Sequence, residues 1–181
     1  MRTLLGIALA ATVLWSGYWY VGARAIEAAV AQWFAEQPAG LASNAGVSVQ
    51  GIPNRFDLTV TEPVLTDPAS GMTWQAPFAQ VYAMTWKPWH LIAALPSGQE
   101  ITLADQAISV SSDKIFASLL LHPGKALTLN ETVAEAHGVV LTPTAGWKIG
   151  VEKAVVSTRE DVTRADTHRL GLAVTGIAPD A

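Results

Sequence analysis

Between Thr3 and Ala23 there is not one charged side chain. No other feature limits the chain as strongly. A helix rises about 1.5 Å per residue, so about 20 residues cross a hydrocarbon layer about 30 Å thick. The run holds Leu4, Leu5, Ile7, Leu9, Val13 and Leu14, then Trp15, Tyr18, Trp19, Tyr20 and Val21. Arg2 and the α-amine precede it, and Arg24 follows with Glu27 close behind. That slight bias favours the N-terminus inside and the rest of the chain outside. Two readings compete. One is a cleaved secretory signal, with Ala23-Arg24-Ala25 as the small-x-small site. The other is an uncleaved signal anchor whose aromatic cluster marks an interfacial belt. The anchor is preferred, because signal peptides end in small residues and not in bulky rings. A buried core helix fits less well, since the run is long and starts at the second residue.

Residues 23–36 continue as a helix. Ile26, Val30, Trp33 and Phe34 recur at spacings of three and four, which makes one apolar stripe. Pro38 and Gly40 stop it. Packing on its own domain is the favoured role for this stripe. A helix lying on the bilayer surface is the alternative. The expected division is a transmembrane signal anchor over 1–22, a juxtamembrane helix and linker over 23–46, and an antiparallel sheet domain over 47–181.

From Val47 the period changes. Val47 and Val49 alternate, and Gly51-Ile52-Pro53-Asn54 turns. Phe56, Leu58 and Val60 then point one way, with Asp57, Thr59 and Thr61 between them, as in a half-buried strand. Further alternating runs lie around Trp74, 78–86, 91–95, Ile101, Ile108, 115–121, Val139, Ile149 and 170–174, separated by Pro- and Gly-rich breaks. Breaks fall at Pro63, Pro96-Ser97-Gly98, His122-Pro123-Gly124 and 143–146. Only residues 130–136 suggest another turn of helix. The pattern predicts a mainly β fold: the N-terminal helix followed by a curved antiparallel meander, half-barrel or groove-like. Its apolar face must roll up or rest on something. The strand at 170–174 comes late and is expected to be an edge, as in a short member of its kind or a piece of something longer.

Only 14% of the 181 residues are charged, against about 25% in an ordinary soluble domain. The net charge of −4 gives no electrostatic case for nucleic-acid binding. There is no cysteine, which excludes disulfides, thiolate catalysis and thiolate metal ligands.

Gly51-Ile52-Pro53-Asn54-Arg55-Phe56-Asp57, Gly71-Met72-Thr73-Trp74-Gln75-Ala76-Pro77 and Trp86-Lys87-Pro88-Trp89-His90 stand out as motifs. With the Leu-rich strand 117–123 they resemble the DUF2125 family of uncharacterised alphaproteobacterial envelope proteins, from the anchor through about Trp147. The resemblance implies an exported, membrane-anchored protein with no catalytic residues to carry over. It is similar in style to the AsmA-like envelope proteins, whose elongated sheets are associated with lipid or outer-membrane assembly.

Trp86-Lys87-Pro88-Trp89-His90 is the densest candidate site. Two indoles, a cation and an imidazole suit a ligand mouth or a membrane surface. The plainer alternative is a corner in which Pro88 turns the chain, Trp86 and Trp89 fill the core, and His90 bonds a backbone carbonyl. Trp74 joins Trp86 and Trp89 as an aromatic anchor for a hydrophobic ligand. His90, His122, His137 and His168 have no metal-ligand spacing, so no metal or other cofactor is expected. Glu160, Asp161 and Asp166 lie in a charged stretch with Arg159, Arg164 and Arg169, which reads as a solvated loop or strand face. Arg55 and Asp57 are placed to pair. No nucleophile elbow or phosphate loop occurs.

The expected protein is therefore not an enzyme. It is a single-pass inner-membrane protein with its domain in the periplasm, handling a lipid or other hydrophobic ligand. The expected partners are membrane lipid and possible contact with another envelope protein, but no nucleic acid. The alternative is a scaffolding subunit that pairs with a partner through an exposed sheet edge.

Overall fold

The computed structural model describes residues 1–103, 106–124, 127–164 and 167–180. One helix, α1 (Arg2–Glu36), carries both the apolar run and the stripe beyond it without a break. Thirteen strands follow among the described residues: β1 (Ala42–Ser43), β2 (Gly46–Gln50), β3 (Arg55–Thr61), β4 (Val64–Thr66), β5 (Thr73–Gln75), β6 (Phe78–Met84), β7 (Lys87–Leu95), β8 (Gln99–Thr102), β9 (Ala107–Ser111), β10 (Lys114–Leu121), β11 (Leu129–Pro143), β12 (Lys148–Glu160) and β13 (His168–Asp180). All belong to one antiparallel sheet, strongly curled into a half-barrel.

The short strands are halves of long ones. β1–β2, β3–β4, β5–β6, β7–β8 and β9–β10 each run as one bent strand, and β11, β12 and β13 span the same height undivided. Read this way the sheet is an up-and-down meander, each strand paired with the next in sequence. A crease crosses it. Backbone bonds continue over the crease from Ala45 N to Thr61 O, Glu62 N to Pro77 O, Ala76 N to Pro63 O, Gly98 N to Val110 O and Asp113 N to His137 O. Proline lacks the N–H that a ladder needs, so Pro63, Pro77 and Pro96 interrupt pairing there. Gly138 and Gly176 take φ of 57° and 64°, which a side chain would resist. A Cβ at Gly138 would also collide with an Asp113 carboxylate oxygen. Pro63 and Pro96-Ser97-Gly98, which punctuate the sequence like turns, are thus bends within strands.

Two other expectations are corrected. Residues 130–136 are strand, not a turn of helix, because both edges of β11 are paired along that stretch. Lys87 to His90 is the opening of β7 and not a corner that Pro88 turns. The chain reverses at Thr85 and Trp86, and the pairing slips from Ala83↔Leu91 to Met84↔Lys87. Pro88, Trp89 and His90 are the extra residues of a bulge, where a missing N–H is tolerated. The sheet also starts earlier than the change of period suggests, at Ala42.

α1 packs across the β2–β3 end of the sheet. Ala23, Val49 and Phe56 are buried together, with Trp19, Ile26 and Leu58 against them. A Cβ at Gly22 would meet the Phe56 ring at 2.8 Å, so glycine lets helix and strand approach. The rings of the predicted belt bond this domain. Trp15 Nε1 donates to Pro53 O at 2.9 Å, Tyr18 OH to Thr85 O at 2.9 Å and Trp19 Nε1 to Arg55 O at 2.6 Å. Glu27 takes the N–H of Val49 at 2.9 Å and holds Arg24 at 3.0 Å. The stripe of Ile26, Val30 and Phe34 is half-buried, whereas Trp33 stays exposed.

Candidate functional site: an uncovered apolar face

Residues opposite one another in an antiparallel ladder share a face, and successive residues alternate between faces. The register therefore spells out what each face carries. One row crosses the whole lower half of the sheet: Val49, Leu58, Val81, Ala93, Ala117, Ala134, Val156 and Leu172. Every member is apolar. The flanking row Leu95, Ile115, Ala136, Ala154 and Val174 lies on the same face, as does Phe56, Ala83, Leu91 and Leu119. The row between them on the opposite face reads Gln50, Asp57, Tyr82, Ile92, Ser118, Val133 and Ser157. There Gln80 bonds Thr59 at 3.3 Å and Tyr82 bonds Gln80 at 2.6 Å, a half-buried polar lattice.

Above the crease the same side continues as Ala42, Leu65, Trp74, Ile101, Ile108 and Pro143. The phase of alternation shifts at the bend. On β11 the apolar positions are Ala134 and Ala136 below Gly138, then Val139 and Leu141 above it. On β13 they are Leu172 and Val174 below Gly176, then Ile177 above it. A one-residue irregularity of this kind re-aims the side chains that follow, so the apolar side is kept across the bend. Below and above the crease this side meets α1 along the same edge: at Val49 and Phe56 below, and above at a pocket of about 510 Å³ among Trp33, Leu41, Ala42, Leu65, Met72 and Trp74.

Beyond the helix nothing covers this face among the described residues. In helix and sheet together, only six apolar side chains are buried among the described residues: Ala23, Val49, Phe56, Val60, Ala76 and Val110. Phe56 is 4% exposed, whereas Leu170 and Leu172 at the far edge are 77% and 70% exposed. An apolar face left open to solvent makes this the candidate site. Its middle is lined by alanines: Ala83, Ala93, Ala117, Ala134, Ala136 and Ala154. Small side chains there leave room above the backbone, between bulkier Leu, Ile and Val residues.

The sequence-predicted residues do not converge. Trp74 sits on β5 above the crease, its Nε1 bonded to Gln99 Oε1 at 2.9 Å, and belongs to the Trp33 pocket. Trp86 is at the β6–β7 reversal, 57% exposed, so it fills no core. Trp89 lies half-buried in the β7 bulge. His90 is on the polar face, with Nε2 2.9 Å from Ser118 Oγ rather than on a backbone carbonyl. It lines a shallow recess of about 190 Å³ with Arg55, Tyr82, Met84, Lys87 and Ile92. Arg55 pairs with Asp57 at 2.7 Å. The alanines were not singled out by the sequence reading. Their signal is the register, which brings Ala93, Ala117 and Ala134 from three strands into one row.

The charged stretch forms the β12–β13 hairpin. Asp161 accepts the Thr163 hydroxyl at 2.6 Å and backbone N–H at 3.0 Å, and Arg169 Nε at 3.2 Å. These donors, the Thr163 hydroxyl first, hold its carboxyl down at about 2. Arg159 reaches Glu131, and His122 reaches Glu160. On the polar face Glu135 is drawn below the usual carboxylate range by Lys153 and then His137. Asp166 lies outside the described residues. Among the described residues no three His, Asp or Glu side chains gather to hold a metal ion.

A single apolar helix that is long enough to cross a membrane, tied to a creased meander with one uncovered apolar face, defines the class of protein. The chain belongs to the DUF2125 family. The family model, described as an uncharacterized protein conserved in bacteria, matches residues 19–181. No curated protein and no solved structure matches the chain.

Proposed function

We propose that this protein is a non-enzymatic, single-pass membrane protein that handles a lipid or similar hydrophobic ligand on the apolar face of its sheet. The observation that carries this is the unbroken apolar row from Val49 to Leu172, covered only at its helix end. Burial of apolar area drives such binding at about 25 cal/mol per Å², and the alanine-lined middle suits an acyl chain lying across the strands. In a bacterial inner membrane, Arg2 and the α-amine ahead of the run favour the orientation that puts the domain in the periplasm.

Native mass spectrometry of the full chain, extracted in mild detergent, tests the reading. Phospholipid or fatty-acid adducts are expected on the wild type. Occupancy should fall at least about tenfold in Ala117→Asp, because a carboxylate on this face opposes an apolar ligand. Ser118→Asp, one residue along and on the polar face, should keep the adduct. Lipid-free wild type, or equal retention in both variants, overturns the proposal.

A second reading rests on β13, which pairs with β12 alone among the described residues and leaves a 13-residue edge open. Such an edge is a template for another strand. Under that reading the same spectra show a second protein chain in place of lipid.

A further inference from the structure

The run in α1 is the right length for a bilayer, but only its first part is free of the sheet. Trp15 is the first residue to hydrogen-bond the domain. Residues 2–14 amount to about 20 Å of helix, about 10 Å short of a hydrocarbon layer. Residues 3–23 together give about 31 Å, which matches it. A spanning helix therefore draws its Trp15–Ala23 half into the membrane, together with whatever that half is bonded to.

What it is bonded to is one end of the sheet: the turn 51–54, the start of β3, and the reversal at Thr85 and Trp86. Ile52 stands 59% exposed at the tip of the first turn, Trp86 is exposed on the second, and Met84 is exposed beside it. Tyr20 adds another exposed ring on the helix. A cleft between helix and turn is lined by Ala11, Thr12, Trp15, Ile52 and Pro53.

The backbone at this end has independent features that fit lipid. In hydrocarbon an unpaired carbonyl costs several kcal/mol. Here Pro53 O takes Trp15 Nε1, Arg55 O takes Trp19 Nε1, and Thr85 O takes the Tyr18 hydroxyl. Asn54 O takes both the N–H and the hydroxyl of Thr85, and Gly51 O takes the N–H groups of Asn54 and Arg55. Arg24 and Arg55 at this end are paired, with Glu27 at 3.0 Å and with Asp57 at 2.7 Å.

We infer that the 51–54 turn and the Met84–Lys87 reversal are set into the bilayer leaflet on the domain's own side, with Ile52 and Trp86 as membrane-contacting tips. The partner of this surface is lipid. The inference rests on the anchor reading of α1 and names what that anchor does to the domain beside it.

The absence of native cysteine makes single-cysteine variants clean probes. Ile52→Cys, Trp86→Cys and, as an exposed control remote from this end, Ala69→Cys are placed in the full chain. Each is reconstituted in phosphatidylethanolamine–phosphatidylglycerol vesicles. Reaction with a water-soluble maleimide should be at least about tenfold slower at 52 and 86 than at 69. An environment-sensitive fluorophore at 86 should be quenched by lipids spin-labelled high on the acyl chain, one at 52, level with Trp15, by lipids labelled deeper on the chain, and one at 69 by neither. Equal rates and no quenching, in protein whose intact mass retains residues 1–25, overturn the bilayer seat and leave the anchor standing. An intact mass lacking those residues overturns both.

Discussion

The two ends of the apolar face differ in one thing, the helix. At the β2–β3 end Phe56 and Val49 are shut in by Trp19, Ala23 and Ile26. At the β12–β13 end Val156, Leu170 and Leu172 carry the same chemistry in the same rows, and stand in solvent. A sheet with one apolar face needs a cover, and this chain supplies one only over β1, β2 and β3. The contrast separates what apolar residues do for stability from what they offer to a partner.

The comparison breaks most readily by truncation. Phe56→Ala should cost about 3–5 kcal/mol in denaturant unfolding, the range for a buried aromatic ring. Leu172→Ala should stay within about 0.5 kcal/mol, as for an exposed position. Equal losses would mean that something already covers the open end. The crease that joins the two halves of the face comes next. Gly138→Ala forces a side chain into positive φ against Asp113 and should cost about 1–3 kcal/mol. Gly150→Ala has ordinary φ and its new Cβ would sit 3.7 Å from Ala178 O, an ordinary contact, so it should change the unfolding midpoint little. The smallest effect belongs to the turn that starts the open edge. The carboxyl of Asp161 should titrate by NMR near 2 and not near 3.8. Because the folded value is the lower one, this contact supports the hairpin above about pH 4 and is lost as pH falls toward 2. A midpoint near 3.8 would show that the Thr163 and Arg169 contacts are not formed in solution.

Much of this was legible in residue order. The helix follows from the charge-free run and the Ile26 stripe, and the meander from alternation between Phe56 and Val174 broken by Pro and Gly. The late edge strand was visible too, although it is longer than 170–174 suggests. The aromatic cluster was legible as an interfacial feature but not as a set of donors. Nothing near Trp15 or Trp19 in sequence shows that their N–H groups meet Pro53 and Arg55.

The candidate site divides along the same line. By itself the sequence determined that the chain would carry one apolar face and one polar face, since alternation is a local property of each strand. It also determined the helix, the lack of thiol chemistry and the family. Only the tertiary structure decided that Pro63, Pro96 and Gly138 bend strands and do not end them. It placed Trp74 on one side of the crease and Trp86 and His90 on the other, and aligned Ala93, Ala117 and Ala134 into one row. The reason is that register and bulges act between strands. A one-residue shift reverses every side chain beyond it, and no local pattern records which residue of a distant strand lies opposite.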